Sequence, residues 1–398
     1  MAHHELTDPS GDAVVWDPYD WEQQDDPYPT WAWMRERAPV YRNDERGFWA
    51  LSRYADVQAA VVDWRRFCSG QGVALGSTVA DTTIIDMDPP RHDELRGLIS
   101  RAFTPRRVAE LEGPVRAQCR DLLAAVDPTA TVDLVDVYTN EIPMAVITQL
   151  LDVPAADRPL YRRWIDAYLH RAPGRTGTTP EGEAAFGAAI EHLGALIADR
   201  RAHPGPDLLS ALIAAEEDGR RITDEELLRF AFLLLIAGYE TTTKLIGTAA
   251  YWLWRNPDQR RAVAADPELL PGAVEEVLRY DGPTPFMART LTEDVTFHDV
   301  TMAAGDPVLL LFGSANRDPD RFPDPDRFDV TREPGGHLAL GHGIHFCLGA
   351  AIARLEGRVA VGELLAAFPD YDVEPAGLVR ARTDNNRGFA VVPVTLQP

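Results

Sequence analysis

The chain has 398 residues, 45% of them hydrophobic, and a formal net charge of −23 from 39 Lys and Arg against 62 Asp and Glu. That length and apolar content support a large buried core, and no run of small polar residues divides the chain, so one domain over residues 1–398 is expected. So acidic a balance argues against nucleic acid as a partner, because phosphate contacts need a basic face.

Cys68, Cys119 and Cys347 are odd in number, far apart and without a Cys-x-x-Cys pair, which argues against a disulfide framework and a structural zinc site. A reducing compartment fits them. The first residues lack a basic region followed by an apolar stretch, and no window approaches ~18 consecutive apolar residues, so a cytoplasmic protein with no membrane partner is expected.

Pro18, Pro27 and Pro29 make the first thirty residues read as an extended arm, with a helix starting at Trp31. Residues 40–42 and 48–51 alternate around 43–47 as a small antiparallel hairpin rather than part of a major sheet. Residues 69–83 form a loop whose Gly70, Gly72 and Gly76 are spaced wrongly for a dinucleotide fingerprint. Asp88, Pro89 and Pro90 open a helix that stops before Pro105. It stacks His92 and Arg96 one turn apart, either as a solvated face or as two donors for one carboxylate.

Between residues 111 and 151 Leu122, Leu123, Ile142, Val146, Ile147, Leu150 and Leu151 fall at core-like helical spacings, which reads as scaffold. An amphipathic helix over 158–170 precedes an aperiodic connector over 172–182, either a passive link or a moving one. Thr223 and Glu226 form a capping box for a helix running to about Arg255, ~48 Å at helical rise. Residues 230–236 are apolar on all sides, so this helix is expected to be buried, yet Glu240, Thr241, Thr242 and Thr243 follow. A buried carboxylate there needs a partner or water, and Thr241 can bond the Ala237 carbonyl four residues back.

Glu276 and Arg279 lie three apart on a helix after Pro271, and an extended segment over 282–289 leads to short strands over 295–297 and 308–312. Beyond Pro369 the chain reads as short strands, with a turn at Gly388 and Phe389 that grazes a pocket. The stretch Leu340-Gly341-His342-Gly343-Ile344-His345-Phe346-Cys347-Leu348-Gly349 surrounds one cysteine with glycines, just before a helix carrying Ile352, Leu355, Val359 and Leu364. The helix N-terminus is expected to lower the Cys347 pKa and favour a thiolate, as an anionic metal ligand requires; a buried structural cysteine is the alternative.

This loop resembles the haem-binding loop of cytochrome P450 monooxygenases, with Leu340 where that family usually has Phe. The resemblance extends over essentially the whole chain. It implies a mainly α fold with small β-sheets and haem b (iron protoporphyrin IX) held between the long buried helix and the loop of Cys347, the iron ligand. It further implies that His92, Arg96, Arg289 and His345 hold the propionates, and that Glu240 and Thr241 manage protons. Glu276, Arg279 and Arg327 correspond to a buried structural triad. Val73, Leu75, Val79, Ile84, Ile85, Phe286 and Met287 are expected around the substrate, with the 172–182 connector joining two lid helices.

The activity so implied is insertion of one atom of O2 into an apolar small molecule, such as a macrolide, other polyketide or terpenoid. A peroxide-driven haem peroxygenase and a non-catalytic haem sensor or carrier are the competing readings. No flavin, nicotinamide or iron–sulfur motif is visible, so a ferredoxin and its ferredoxin reductase are expected as electron donors to a monomer. Their expected docking patch comprises Arg65, Arg66, Arg106, Arg107, Arg354 and Arg358.

Overall fold

The computed structural model describes residues 15–76, 83–101, 103–172, 177–217, 219–333, 335–383 and 385–397; Val79 and part of the 172–182 connector lie outside them. The frame is set by the helix Asp224–Arg255. It begins at the expected capping box: Glu226 N donates to Thr223 Oγ1 at 3.2 Å and Thr223 N to Glu226 Oε2 at 2.8 Å. It ends at Asn256, where Pro257 opens the next helix. The helix is long and apolar enough to cross a membrane by length and composition, but 67% of its apolar window is buried inside the protein.

Two clusters divide that burial. Leu227, Phe230, Ala231 and Leu235 pack among Leu193, Leu208, Leu209 and Leu212, while Leu245, Ile246, Ala249 and Leu253 pack among Val274, Val277, Val359 and Leu364. Because both clusters share one helix, its polar middle turn sits where the two halves meet. Helix Ala350–Ala367 packs on Pro105–Ala124 and on the long helix, and Arg158–Leu169 packs on Pro180–Ala202.

The strands depart from the hairpin expected of them. Val40–Asn43 and Phe48–Leu51 do pair antiparallel, Val40 opposite Leu51, but they form one edge of a five-stranded mixed sheet. Pro307–Leu310 joins parallel to Phe48–Leu51 and antiparallel to Met287–Leu291, which in turn pairs with Phe67–Cys68. Alternation within a hairpin carries no information about partners arriving far later in the chain. The strand expected over 308–312 also stops early, since Phe312–Ala315 is a short helix.

The N-terminal arm is helical sooner than expected, as Trp21–Asp25 and Tyr28–Arg37. Asp20 caps the first, accepting from Glu22 N at 2.9 Å, and Pro29 sits in the opening turn of the second, where its missing N–H costs nothing. Phe286, expected near substrate, belongs instead to an aromatic cluster with Trp16 and Trp31, its ring 6.0 Å from that of Trp16.

Arg327 is not the third member of the buried triad. Arg279 donates to both Glu276 oxygens at 2.7 and 2.8 Å, and the second cation is Arg332, 3.3 Å from Glu276, whereas Arg327 is an exposed partner of Asp329. A short Pro-rich segment contains both arginines, and spacing alone does not say which one turns inward.

Candidate active site

Gly341 and Gly343 shape the cysteine loop. Both lie in the left-handed region, φ +69° and +68°, and a Cβ on Gly343 would stand 3.3 Å from the Val61 carbonyl oxygen. The turn closes when Cys347 N donates to Leu340 O at 2.8 Å, and the helix Ala350–Ala367 follows. Gly343→Ala is expected to cost about 1–2 kcal/mol, the penalty of a left-handed L-residue, read as a lower denaturant midpoint at unchanged slope.

Cys347 lines a cleft that also takes in Arg96, Gly238, Thr241, Arg289 and His345. Its thiol behaves opposite to the sequence expectation: burial pushes its pKa above the ordinary value. The Gly349 N–H and the Arg96 and Arg354 guanidinium groups pull it down without prevailing. A helix end cannot outweigh an apolar wall that solvates the anion poorly.

The expected cationic residues gather at one side of the same cleft. Arg289 is placed by strand Met287–Leu291, whose alternation turns Met287 and Arg289 to the cleft together. It is buried, donates to the Ala288 carbonyl at 2.7 Å, and has no carboxylate within ion-pair distance among the described residues. Burial lowers its pKa to about 10 against the opposing influence of Asp88, Cys68 and Asp86.

His345 shares a hydrogen bond with Ser69 Oγ at 3.1 Å; burial first, then Arg289, His92 and Arg96, lower its pKa to about 3, so its imidazole is neutral. Arg96 lines the cleft and donates to Phe346 O at 2.6 Å. His92 stands behind His345, ring centroids 4.6 Å apart, with Nδ1 bonded to Asp93 and a buried Nε2 that has no partner among the described residues. His92 and Arg96 are therefore not the solvated face their spacing also allowed.

On the long helix Thr241 lines the cleft and its hydroxyl donates back to Ala237 O at 2.6 Å, the bond its spacing indicates. Glu240 points elsewhere: it is 4% exposed and accepts from Asn386 Nδ2. Burial raises its pKa, and Lys244 and Asn386 pull it down. Glu356 escaped the sequence reading. It lies in the cleft wall with Oε2 unpartnered among the described residues, and burial alone raises its pKa well above the ordinary value, which favours the neutral acid. The available signal was a carboxylate between Leu355 and Val359 on an apolar helix.

Of the residues expected around the substrate, Ile84, Ile85 and Met287 line the cleft, joined by Phe103, Val146, Ile147, Leu233 and Leu234. Leu75 packs against the Trp16 cluster instead, and Val73 is tied by its carbonyl to Ala288 N at 2.9 Å. The turn at Gly388 and Phe389 grips Lys244, whose Nζ donates to Phe389 O at 3.1 Å, and does not line the cleft. The expected basic patch is largely neutralised: Arg66 pairs with Asp63, Arg106 with Glu110, Arg354 with Glu275 and Arg358 with Glu112.

A profile described as Cytochrome P450 matches residues 188–397. Cytochrome P450 monooxygenase PikC of Streptomyces venezuelae is 40% identical over 386 residues, covering 93% of this chain and 91% of that protein. Vitamin D(3) 25-hydroxylase of Pseudonocardia autotrophica is 41% identical over 384 residues, covering 94% of each. A solved mutant of P450 EryK in complex with erythromycin B superposes with a TM-score of 0.86 at 37% identity, covering 94% of this chain and 97% of that one.

The fold and the cysteine loop thus place the molecule among the haem-thiolate proteins, in a class whose relatives are named as monooxygenases and hydroxylases. The chain belongs to the cytochrome P450 family.

The residues present fit the haem that the family implies. A flat dianion needs buried donors at its edge and free space over the ligand loop. Among the described residues, Arg289 and the Nε2 of His92 are buried donors without an ion-paired protein anion, and a Cβ built on Gly349 meets nothing within 4 Å.

Proposed function

We propose that residues 1–398 form one cytoplasmic haem-thiolate monooxygenase domain. It binds haem b and hydroxylates or epoxidises an apolar small molecule of the macrolide, other polyketide or terpenoid kind, with electrons from a ferredoxin and its reductase. The observation that carries this reading is that Cys347, Thr241 and the unpaired Arg289 share one cleft with an apolar wall.

Cys347 is the iron ligand in this reading, and because its thiol is held protonated by burial, ligation releases that proton. Arg289, Arg96, His92 and His345 hold the propionates, His345 as a neutral N–H donor. When bound, the haem supplies an iron whose thiolate partner favours reductive cleavage of O2. Thr241 keeps a hydroxyl in the cleft, and Glu240, one residue away, is a buried carboxyl whose pKa burial raises, a group suited to taking up and passing on a proton. Phe103, Ile147 and Leu234 keep bulk water off the reacting groups. The apolar wall, together with relatives named for vitamin D3 and solved with erythromycin B, supports a large, mainly apolar substrate.

Turnover of the reconstituted protein with a ferredoxin system in isotopically labelled dioxygen tests this directly: one labelled atom in the product is expected, and none overturns it. In the same assay Thr241→Ala is expected to lower product per electron consumed by about tenfold or more, with the missing electrons recovered as peroxide or water.

A further inference from the structure

Glu240 does not line the large cleft, and its polar contact runs to Asn386. Its carboxylate accepts from Asn386 Nδ2, while Asn386 Oδ1 lies 3.4 Å from the hydroxyl of Thr284, which lines the large cleft. Asn386 also lines a second, smaller cleft between the N-terminal helices and the segment around 380–388. Its walls include the polar side chains of Gln23, Gln24, Asn385 and Arg387.

Asn386 is held firmly. Its own N–H and carbonyl both bond the hydroxyl of Thr383, at 2.9 and 3.0 Å, and the next residue, Arg387, is anchored to Asp281 at 2.7 Å and to the carbonyls of Gln24 and Asp25. Gly388 follows at φ +156°, pressed so close to Lys244 that a Cβ would lie 2.6 Å from that side chain. The backbone on both sides of Asn386 is thereby fixed, and its amide is delivered to Glu240.

We propose that Asn386, which lines this smaller cleft, is a positioning residue that holds the Glu240 carboxyl just behind the cleft wall, making the cleft the solvent-side entry for the protons the reaction consumes. The inference rests on the proton-passing part of the proposed function. A proton leaves water in the cleft and resides on a Glu240 oxygen. It passes toward Thr241, and the next water restores it; no electron moves in this relay. An amide suits the site because it orients a carboxyl without competing for its proton. Besides Asn386, the groups whose charges act on Glu240 are Lys244 one turn onward, Asp166 on the Arg158–Leu169 helix, and Arg171 just after it.

The test follows the Glu240 carboxyl band by infrared difference spectroscopy in the haem-loaded ferric protein, the band being identified by its loss in Glu240→Gln. Removing a donor that favours the charged form must raise the titration midpoint, so Asn386→Leu is expected to shift it up by about one pH unit and to slow the band's exchange in D2O. Asn386→Gln, which keeps an amide donor, is expected to return both toward wild type. Asn386→Ala provides the same reading should Leu prevent folding. In turnover, Asn386→Leu is expected to increase the solvent deuterium isotope effect. If Glu240→Gln lowers product per electron while the Asn386 variants leave midpoint and exchange rate unmoved, the entry route is overturned alone. If Glu240→Gln leaves product per electron unchanged, the proton role of Glu240 is overturned and the inference with it.

Discussion

Replacing Cys347 with serine is expected to abolish oxygen insertion and to remove the red-displaced Soret band of the reduced, carbon-monoxide-treated protein. Serine is nearly isosteric and keeps the loop's geometry, which depends on Gly341, Gly343 and the Cys347 N to Leu340 O bond rather than on the side chain. The loss is therefore electronic: a hard, weakly basic hydroxyl replaces the soft donor that favours cleavage of O2. The expected fall in turnover is at least about 10³-fold, the scale on which removal of an essential catalytic group is felt. An unaltered band in Cys347→Ser would end the haem-thiolate reading. A lost band with Thr241→Ala still tightly coupled would end only the part given to Thr241.

What could be read beforehand follows the range of the interactions involved. The capping box at Thr223 and Glu226, the Thr241 bond to Ala237 and the turn around Gly343 are contacts within a few residues, so residue type and spacing are enough to draw them. The gathering of His92, Arg96, Arg289 and His345 at one side of a cleft came from family resemblance, because those residues come from three distant segments. Contacts without either support were missed. Asn386 reaches Glu240 across most of a hundred and fifty residues, Phe286 turns into the Trp16 cluster rather than the cleft, and the hairpin gains strands from the far end of the chain. The direction of the Cys347 shift was misjudged for an energetic reason: the favourable N–H groups are local and visible, while the burial that outweighs them is a property of the whole packed site.

The buried pair of Glu276 and Arg279 should show the largest effect on stability. Glu276 takes both donors of Arg279, the Asp329 N–H at 2.9 Å, and Arg332; Arg279 in turn reaches the carbonyls of Asn316, Pro325 and Arg327. Taking away one partner leaves a guanidinium buried without its counter-charge, so Glu276→Leu is expected to cost about 3–5 kcal/mol. That is a large share of the ~5–15 kcal/mol that holds an ordinary domain together, and it should appear as a lower denaturant midpoint. The double variant Glu276→Leu with Arg279→Met removes both charges, and its loss should be smaller than that of Glu276→Leu alone, since no ion is left stranded. Equal or greater loss in the double variant would mean that Arg279 matters for the carbonyls it ties rather than for its charge. The consequence reaches the site through one residue. Asn316 accepts Arg279 on its carbonyl and Leu338 N–H on its side chain at 2.6 Å, and Leu338 is two residues ahead of the cysteine loop. Glu276→Leu is accordingly expected to loosen haem retention, read as faster transfer of haem to an acceptor protein, while Gly343→Ala, which strains the loop itself, should do so without the larger fall in midpoint.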